Sequence, residues 1–177
     1  MESSLAHKLK LIKLLLLDVD GVMTDGSILI DDKGVESKSF NVRDGHGVKL
    51  LQRAGIKVGI ITGRSSNVVK QRAAELGIAI VHQGIKNKLE AYEKILSREG
   101  LEDKDVAYLG DDLVDLPVLS SVGFSVAVAD AIKDILPHVD YVTKHPGGRG
   151  AVREVTELIL KGCGRWDDVT RRYFNSR

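Results

Sequence analysis

The chain has 177 residues, 43% of them hydrophobic and 29% charged, with 26 Lys and Arg against 25 Asp and Glu for a formal net charge of +1. That size gives one ordinary domain with a real core and too little chain for two, and the near-neutral balance excludes a basic nucleic-acid footprint or an acidic tail. A single cysteine, Cys163, excludes an internal disulfide and fits a reducing compartment.

Residues 1–9 read as a loose or partly helical lead-in. Basic residues then precede leucines between Lys8 and Leu17, as in a signal peptide. However, Lys13 interrupts the run, no small-residue cleavage site follows, and it ends in Asp-Val-Asp. Leu14-Leu15-Leu16-Leu17 is too short to span a membrane and fits a strand buried on both faces, the habit of a parallel sheet. With no other long apolar stretch, a cytoplasmic protein without membrane contact is expected. Side chains two apart on an extended strand point the same way, so Asp18 and Asp20 project together where this strand ends. Two like charges that close raise one another's pKa unless a cation lies between them. Mg²⁺ suits the place, because it takes carboxylate oxygens and keeps waters for a phosphate. Alone, Asp-x-Asp-Gly fits a plain turn with solvated carboxylates better, and the rest of the chain is what argues for the cation.

Residues 27–31 and 35–42 flank Asp32-Lys33-Gly34 and predict a rather polar β-hairpin, suited to an edge or to a surface against another subunit. Asp44-Gly45-His46-Gly47 opens a helix carrying Val48, Leu50 and Leu51, which Gly55 closes as a left-handed cap. A second buried strand, 57–61, runs into Thr62-Gly63-Arg64-Ser65-Ser66, and a helix over 66–76 stops at Gly77. A third strand over 78–81 and a helix over 87–98 follow. A fourth strand, 106–109, ends in Gly110-Asp111-Asp112, ahead of a short helix over 113–121 with Pro117 in its first turn or at a kink. A strand over 124–128, a brief helix over 131–136, an edge strand over 141–143 and a helix over 150–160 complete the pattern. Residues 144–150 form a flexible glycine-rich loop, and the tail 163–177 carries Trp166, Tyr173 and Phe174 among charges.

Strands and helices thus alternate from Leu14 to Leu160. This predicts an α/β fold, a Rossmann-like doubly wound parallel sheet with helices on both faces, in a single domain over 1–177. Ligands collect at the carboxyl ends of such strands, and three of those ends carry unusual chemistry: Asp18/Asp20, Thr62-Gly63 and Asp111/Asp112. A carboxylate can attack phosphorus and split one hard hydrolysis into two displacements. Asp18, nearest the sheet, is the candidate nucleophile, and Asp20 is placed to protonate the leaving oxygen and then activate water. Asp111 would complete the metal site, with Asp112 or Asp115 as ligand or support. Thr62 offers a hydroxyl, and Gly63 and Arg64 offer backbone N–H groups before a helix, an anion cradle. Lys88 would neutralise the phosphate and hold Asp18. His46 and His82 read as turn or packing residues, because an oxygen-rich site prefers Mg²⁺ to softer metals. Arg149 reads as loop decoration and Cys163 as incidental.

Four ordered stretches, Asp18-Val19-Asp20-Gly21-Val22-Met23-Thr24-Asp25-Gly26, Ile61-Thr62-Gly63-Arg64, Lys88, and Gly110-Asp111-Asp112-Leu113-Val114-Asp115, resemble the motifs of the haloacid dehalogenase superfamily of phosphotransferases. The resemblance covers most of the chain. It implies Asp18 as nucleophile and Asp20 as acid and base, and Mg²⁺ held by Asp18, the Asp20 backbone carbonyl and Asp111. It also implies that Thr62 and Lys88 meet the phosphate. Most relatives insert a cap domain, for which only the hairpin 27–42 and short loops are available here. Without a lid, water exclusion must come from elsewhere, such as a neighbouring subunit.

Thr24-Asp25-Gly26, Phe40-Asn41-Val42-Arg43-Asp44-Gly45, His82-Gln83-Gly84 and the run from Pro146 to Glu154 resemble the capless phosphatases of sugar-acid phosphates. That group implies a homotetramer whose hairpins form a central barrel and whose C-terminal tails reach adjacent active sites. Arg64 suits a substrate carboxylate through a bidentate pair; because the similar nonulosonate 9-phosphate phosphatases look acidic at this place, the resemblance leans toward an octulosonate 8-phosphate. Two other readings stay open at this point: a related phosphatase of different or broader range, and a non-catalytic tetramerisation module.

Overall fold

The structure, a computed structural model, describes residues 2–174. Its main sheet contains β1 (Leu14–Leu17), β4 (Lys57–Ile61), β5 (Ile80–His82), β6 (Val106–Gly110), β7 (Phe124–Ala127) and β8 (Tyr141–Val142). The order is β5-β4-β1-β6-β7-β8 and each neighbouring pair is parallel. The chain winds outward from β1 through β4 to β5, then crosses back to β6 on the other side of β1. β1 and β6 therefore flank the topological switch point, where doubly wound sheets open a crevice. Leu17 lies level with Ile60 on one side and with Leu109 on the other. The next residues along each strand accordingly emerge together at one end of the sheet.

All four leucines of β1 are fully buried, and their alternation divides the core. Leu15 and Leu17 belong to the larger apolar cluster, with residues of α1 (Glu2–Leu11), α2 (Val42–Arg53), α3 (Asn67–Leu76), α6 (Ala151–Gly162) and α7 (Trp166–Phe174). Leu14 and Leu16 belong to the opposite cluster, with α4 (Lys88–Glu99) and α5 (Leu116–Leu119). Period two on the strand thus feeds two helical layers. Among the described residues no cap domain is inserted; only the hairpin β2 (Leu29–Ile30) and β3 (Glu36–Ser37) follows β1.

Several predicted boundaries move. The paired part of the hairpin is only two residues per strand, shorter than 27–31 and 35–42, and its apolar residues Ile28, Leu29, Ile30 and Val35 are exposed. The helix expected to open at Asp44 starts at Val42, because Asn41 caps it by accepting from Arg43 N–H at 2.8 Å. Asp44 is thereby released to cap a different helix: its carboxylate accepts from the N–H groups of Gly150 (3.3 Å) and Arg153 (2.8 Å) at the start of α6. The region 113–121 is a 3-10 turn (Leu113–Asp115) followed by α5 with Pro117 in its first turn. The brief helix near 131 is a 3-10 segment, Lys133–His138. The tail contains a helix that its charges concealed: Val169 is buried in the main cluster, and Tyr173 meets His46 at 3.0 Å. Residues 175–177 of the expected tail lie outside the described residues.

Because Leu16 has no exposed surface, Leu16→Ala should cost about 2–5 kcal/mol through lost burial and the cavity left behind. Urea unfolding measures this, and a loss below about 1 kcal/mol would contradict the packing described.

Candidate active site

Two strand ends meet at the switch point. Asp18 follows β1, Asp111 follows β6, and oxygens of Asp18, Asp111 and Asp115 all lie within 4.8 Å of one another. Asp115 is fully buried, and its two oxygens are already engaged. Oδ1 accepts from Lys88 Nζ (2.7 Å) and the Tyr108 hydroxyl (2.6 Å), and Oδ2 from the N–H groups of Asp111 (2.9 Å) and Asp112 (3.3 Å). Asp115 therefore organises the loop that carries Asp111. Asp112 caps the 3-10 turn, accepting from Leu113 N–H at 2.6 Å.

Lys88 stands at the first position of α4 after the Asn87 cap and is buried. Its Nζ lies 3.0 Å from Asp18 Oδ2 and 2.7 Å from Asp115 Oδ1. Burial by itself pulls the ammonium down, but the two carboxylates outweigh it and hold Lys88 above its usual value. Burial, then repulsion from Asp115, pushes Asp18 up to about 6 against the opposing pull of Lys88. Burial, then Asp115 and Asp18, pushes Asp111 to about 8.

The donor set fits a hard cation. Among the described residues Asp18 Oδ1 is buried and accepts no hydrogen bond, a costly state for a carboxylate oxygen, and Asp111 stands beside it with a pKa that an added positive charge would bring down. Asp18 and Asp111, together with the Asp20 backbone carbonyl, would hold Mg²⁺. Gly21 makes the approach possible: at φ +89° it is left-handed, and a Cβ there would overlap Asp111 Oδ2.

Thr62 is buried after β4, its N–H donating to His82 O at 2.9 Å. The helix behind it is already capped, since Ser66 Oγ accepts from Val69 N–H and Gln83 Oε1 takes the Ser66 N–H at 2.7 Å. Any anion cradle thus falls to the Thr62-Gly63-Arg64 turn ahead of the helix. Arg64, half exposed, points back at acids: Nη2 lies 3.5 Å from Glu36 Oε1 and Nε 3.8 Å from Asp20 Oδ2.

Three residues of this neighbourhood escape sequence reasoning. Tyr108 reads as one more apolar strand position. Glu36 and Lys38 lie in the polar hairpin with no motif around them, yet Lys38 Nζ bonds Asp20 Oδ1 and lies 3.4 Å from Glu36 Oε1. Glu36 is held below its usual range, chiefly by the Ser66 hydroxyl and then by Lys38 and Arg64 against the cost of burial.

The segment 144–150 is tied down where a flexible loop is expected. Gly148 N–H donates to Val22 O at 2.9 Å, Gly147 N–H to Asp130 Oδ1 at 2.8 Å, and Glu154 accepts from Lys144 and His145. A Cβ on Gly147 would overlap the Gly21 carbonyl, and one on Gly148 would lie 2.5 Å from Thr24 C. The glycines thus serve a close backbone contact that buttresses the Asp18–Asp25 loop. Beside it, between α2 and α6, runs a groove of about 1090 Å³ lined by Phe40, Arg43, Lys144, Arg149 and Arg153.

A model of the haloacid dehalogenase-like hydrolase family matches residues 78–154. The 3-deoxy-D-manno-octulosonate 8-phosphate phosphatase of Escherichia coli K12 is 50% identical over 158 residues, 89% of this chain and 84% of its own. That of Yersinia pestis is 52% identical over 159 residues, 90% and 85%. The crystal structure of the Moraxella catarrhalis 3-deoxy-D-manno-octulosonate 8-phosphate phosphatase, in complex with a magnesium ion, a phosphate ion and KDO, matches with a TM-score of 0.95 at 42% identity, over 98% of this chain and 99% of that one. On this likeness and the geometry above, the chain belongs to the haloacid dehalogenase-like hydrolases.

Proposed function

We propose that this protein is a Mg²⁺-dependent phosphatase of a sugar-acid phosphate, 3-deoxy-D-manno-octulosonate 8-phosphate, working through an aspartyl phosphate in the supply of lipopolysaccharide precursors. The observation that carries the reading is the buried Asp18 carboxylate, held by Lys88 through one oxygen and left without a partner on the other. The relatives' activity supports the substrate.

Mg²⁺ supplies charge screening between the Asp18 carboxylate and the phosphate. Asp18 attacks phosphorus with a carboxylate oxygen while Lys88 holds it in line and balances its charge. As the new O–P bond forms and the ester P–O bond breaks, Asp20 gives its proton to the leaving alkoxide. Asp20 then takes a proton from water as the water oxygen attacks phosphorus, and the Asp18–P bond breaks to release inorganic phosphate. Thr62 and the Gly63 and Arg64 N–H groups receive the phosphate's equatorial oxygens. Arg64, already paired with Glu36, extends its exposed side to the substrate carboxylate. Asp112 and Asp115 support the Asp111 loop.

We also propose a homotetramer in the reducing cytoplasm. The exposed hairpin side chains Ile28, Leu29, Ile30 and Val35 support the assembly, the lone Cys163 fits the compartment, and no helix among the described residues is long and apolar enough to cross a membrane. Sedimentation should give four protomers for the wild type and smaller species for Leu29→Glu; a monomeric wild type would end this part.

Phosphate release from 3-deoxy-D-manno-octulosonate 8-phosphate tests the activity. Asp18→Asn should leave only background turnover, and Arg64→Ala should lower kcat/KM by about 10- to 100-fold while sparing 4-nitrophenyl phosphate. Equal losses on both substrates would remove Arg64 from carboxylate recognition, and full turnover by Asp18→Asn would remove the mechanism.

Thermal melting gives a check apart from activity. In metal-free protein Asp18 (about 6) and Asp111 (about 8) sit above the ordinary 3.8, so between about pH 4 and 8 the folded state binds more protons than the unfolded chain. Stability should then fall as pH rises through those values. Saturating Mg²⁺ should lift and flatten this profile, by about 2.7 kcal/mol at a hundredfold excess over its Kd, and Asp111→Asn should abolish the lift. A melting temperature indifferent to Mg²⁺ at pH 7.5 would count against the cation site.

A further inference from the structure

The two carboxylates of the first loop each have a lysine, and the lysines arrive by different routes. Lys88 comes from the sheet's own layer, at the start of α4, and serves Asp18. Lys38 comes from just beyond β3 of the hairpin and serves Asp20. The hairpin is built inside out: Leu29 and Ile30 are more than half exposed, while the Lys38 side chain has no exposed surface. An ammonium buried without a partner costs several kcal/mol, so this arrangement persists only through the acids it meets, Asp20 Oδ1 and Glu36 Oε1.

Asp20 depends on that contact more than Asp115 depends on any single one of its own. Backbone N–H groups fix Asp115, whereas among the described residues Lys38 is the only hydrogen-bond donor to the Asp20 carboxylate. Asp20 Oδ2 accepts no hydrogen bond, its nearest cation being Arg64 Nε at 3.8 Å, beyond hydrogen-bonding range. One oxygen is anchored and the other is left for proton exchange. Glu36 adds a second negative charge beside the anchor without bonding it: among the described residues its buried Oε1 accepts no hydrogen bond and lies 3.4 Å from Lys38 Nζ and 3.5 Å from Arg64 Nη2.

We propose that Lys38 is a positioning residue for Asp20, holding Oδ1 so that Oδ2 faces the oxygens between which protons move. The hairpin then completes the site as well as decorating the surface. This rests on the reading of Asp20 as acid and base, and a double-mutant cycle separates the two claims.

The test measures steady-state hydrolysis of 3-deoxy-D-manno-octulosonate 8-phosphate by the full chain at saturating Mg²⁺. Lys38→Met should lower kcat by about 10²-fold, the scale of lost acid–base catalysis, with KM within about threefold of wild type. Lys38→Arg should restore most of that loss. On an Asp20→Asn background, Lys38→Met should cost less than about twofold, since a residue that works only through Asp20 has nothing left to position. Should the methionine variant fail to fold, Lys38→Gln, one atom shorter and uncharged but still able to hydrogen-bond, carries the comparison with a smaller loss of kcat that must likewise vanish on the Asp20→Asn background. Unchanged kcat in Lys38→Met, a loss confined to KM, or an undiminished loss on the Asp20→Asn background would each overturn the proposal. Wild-type turnover by Asp20→Asn alone would instead retire Asp20 as acid and base, and the role of Lys38 with it.

Discussion

The rest of the structure depends on a concentration of negative charge at the end of β1. Asp18, Asp111 and Asp115 share one small volume, and proximity of that kind is unstable unless positive charge and hydrogen-bond donors are built in around it. Lys88 supplies the charge to Asp18 and Asp115; Tyr108 and two backbone N–H groups take up the remaining lone pairs of Asp115. What stays unbalanced is one oxygen of Asp18 and the carboxylate of Asp111, facing each other across the switch point. The fold thereby stores an electrostatic imbalance of one sign at the place where its ligand arrives. A divalent cation relieves it.

Position in the sheet explains why this can be held. The register of β1 between β4 and β6 brings Asp18 level with the ends of both neighbours, and four fully buried leucines anchor the strand from both faces. The loop that follows is braced from outside by Gly147 and Gly148, whose missing side chains admit backbone to within hydrogen-bonding distance of Val22. Asp44 adds a second brace by reaching from α2 to cap α6, the helix that follows the glycine segment. Asp18, the first loop and the C-terminal segment are thus coupled through hydrogen bonds as well as through the shared apolar cluster that holds Val22, Met23, Ala151 and Val152.

The hairpin answers the question a capless phosphatase raises. No lid is inserted among the described residues, and here Lys38 reaches Asp20 and Glu36 reaches Arg64 from a two-stranded element whose apolar residues are exposed. The hairpin thus divides its side chains, with the apolar ones exposed and the charges of Glu36 and Lys38 turned toward Asp20 and Arg64.

Much of this was legible before any coordinates. The apolar run before Asp18, the strand–helix alternation and the charged strand ends determined the α/β class and pointed to Asp18 and Asp111 at neighbouring strand ends, because strand burial and side-chain alternation are local consequences of residue order. The structure decided what depends on contacts between segments distant in the chain. Lys38 looked like any hairpin lysine until the hairpin folded over Asp20, and Asp44 looked like a helix opener until Asn41 capped that helix and left it free for α6. The glycines at 147 and 148 suggested mobility, whereas their lack of side chains serves contact with a loop more than a hundred residues earlier. Pattern reports which face a residue presents; only the folded chain decides what that face meets, because burial and pairing of charge are properties of the whole neighbourhood.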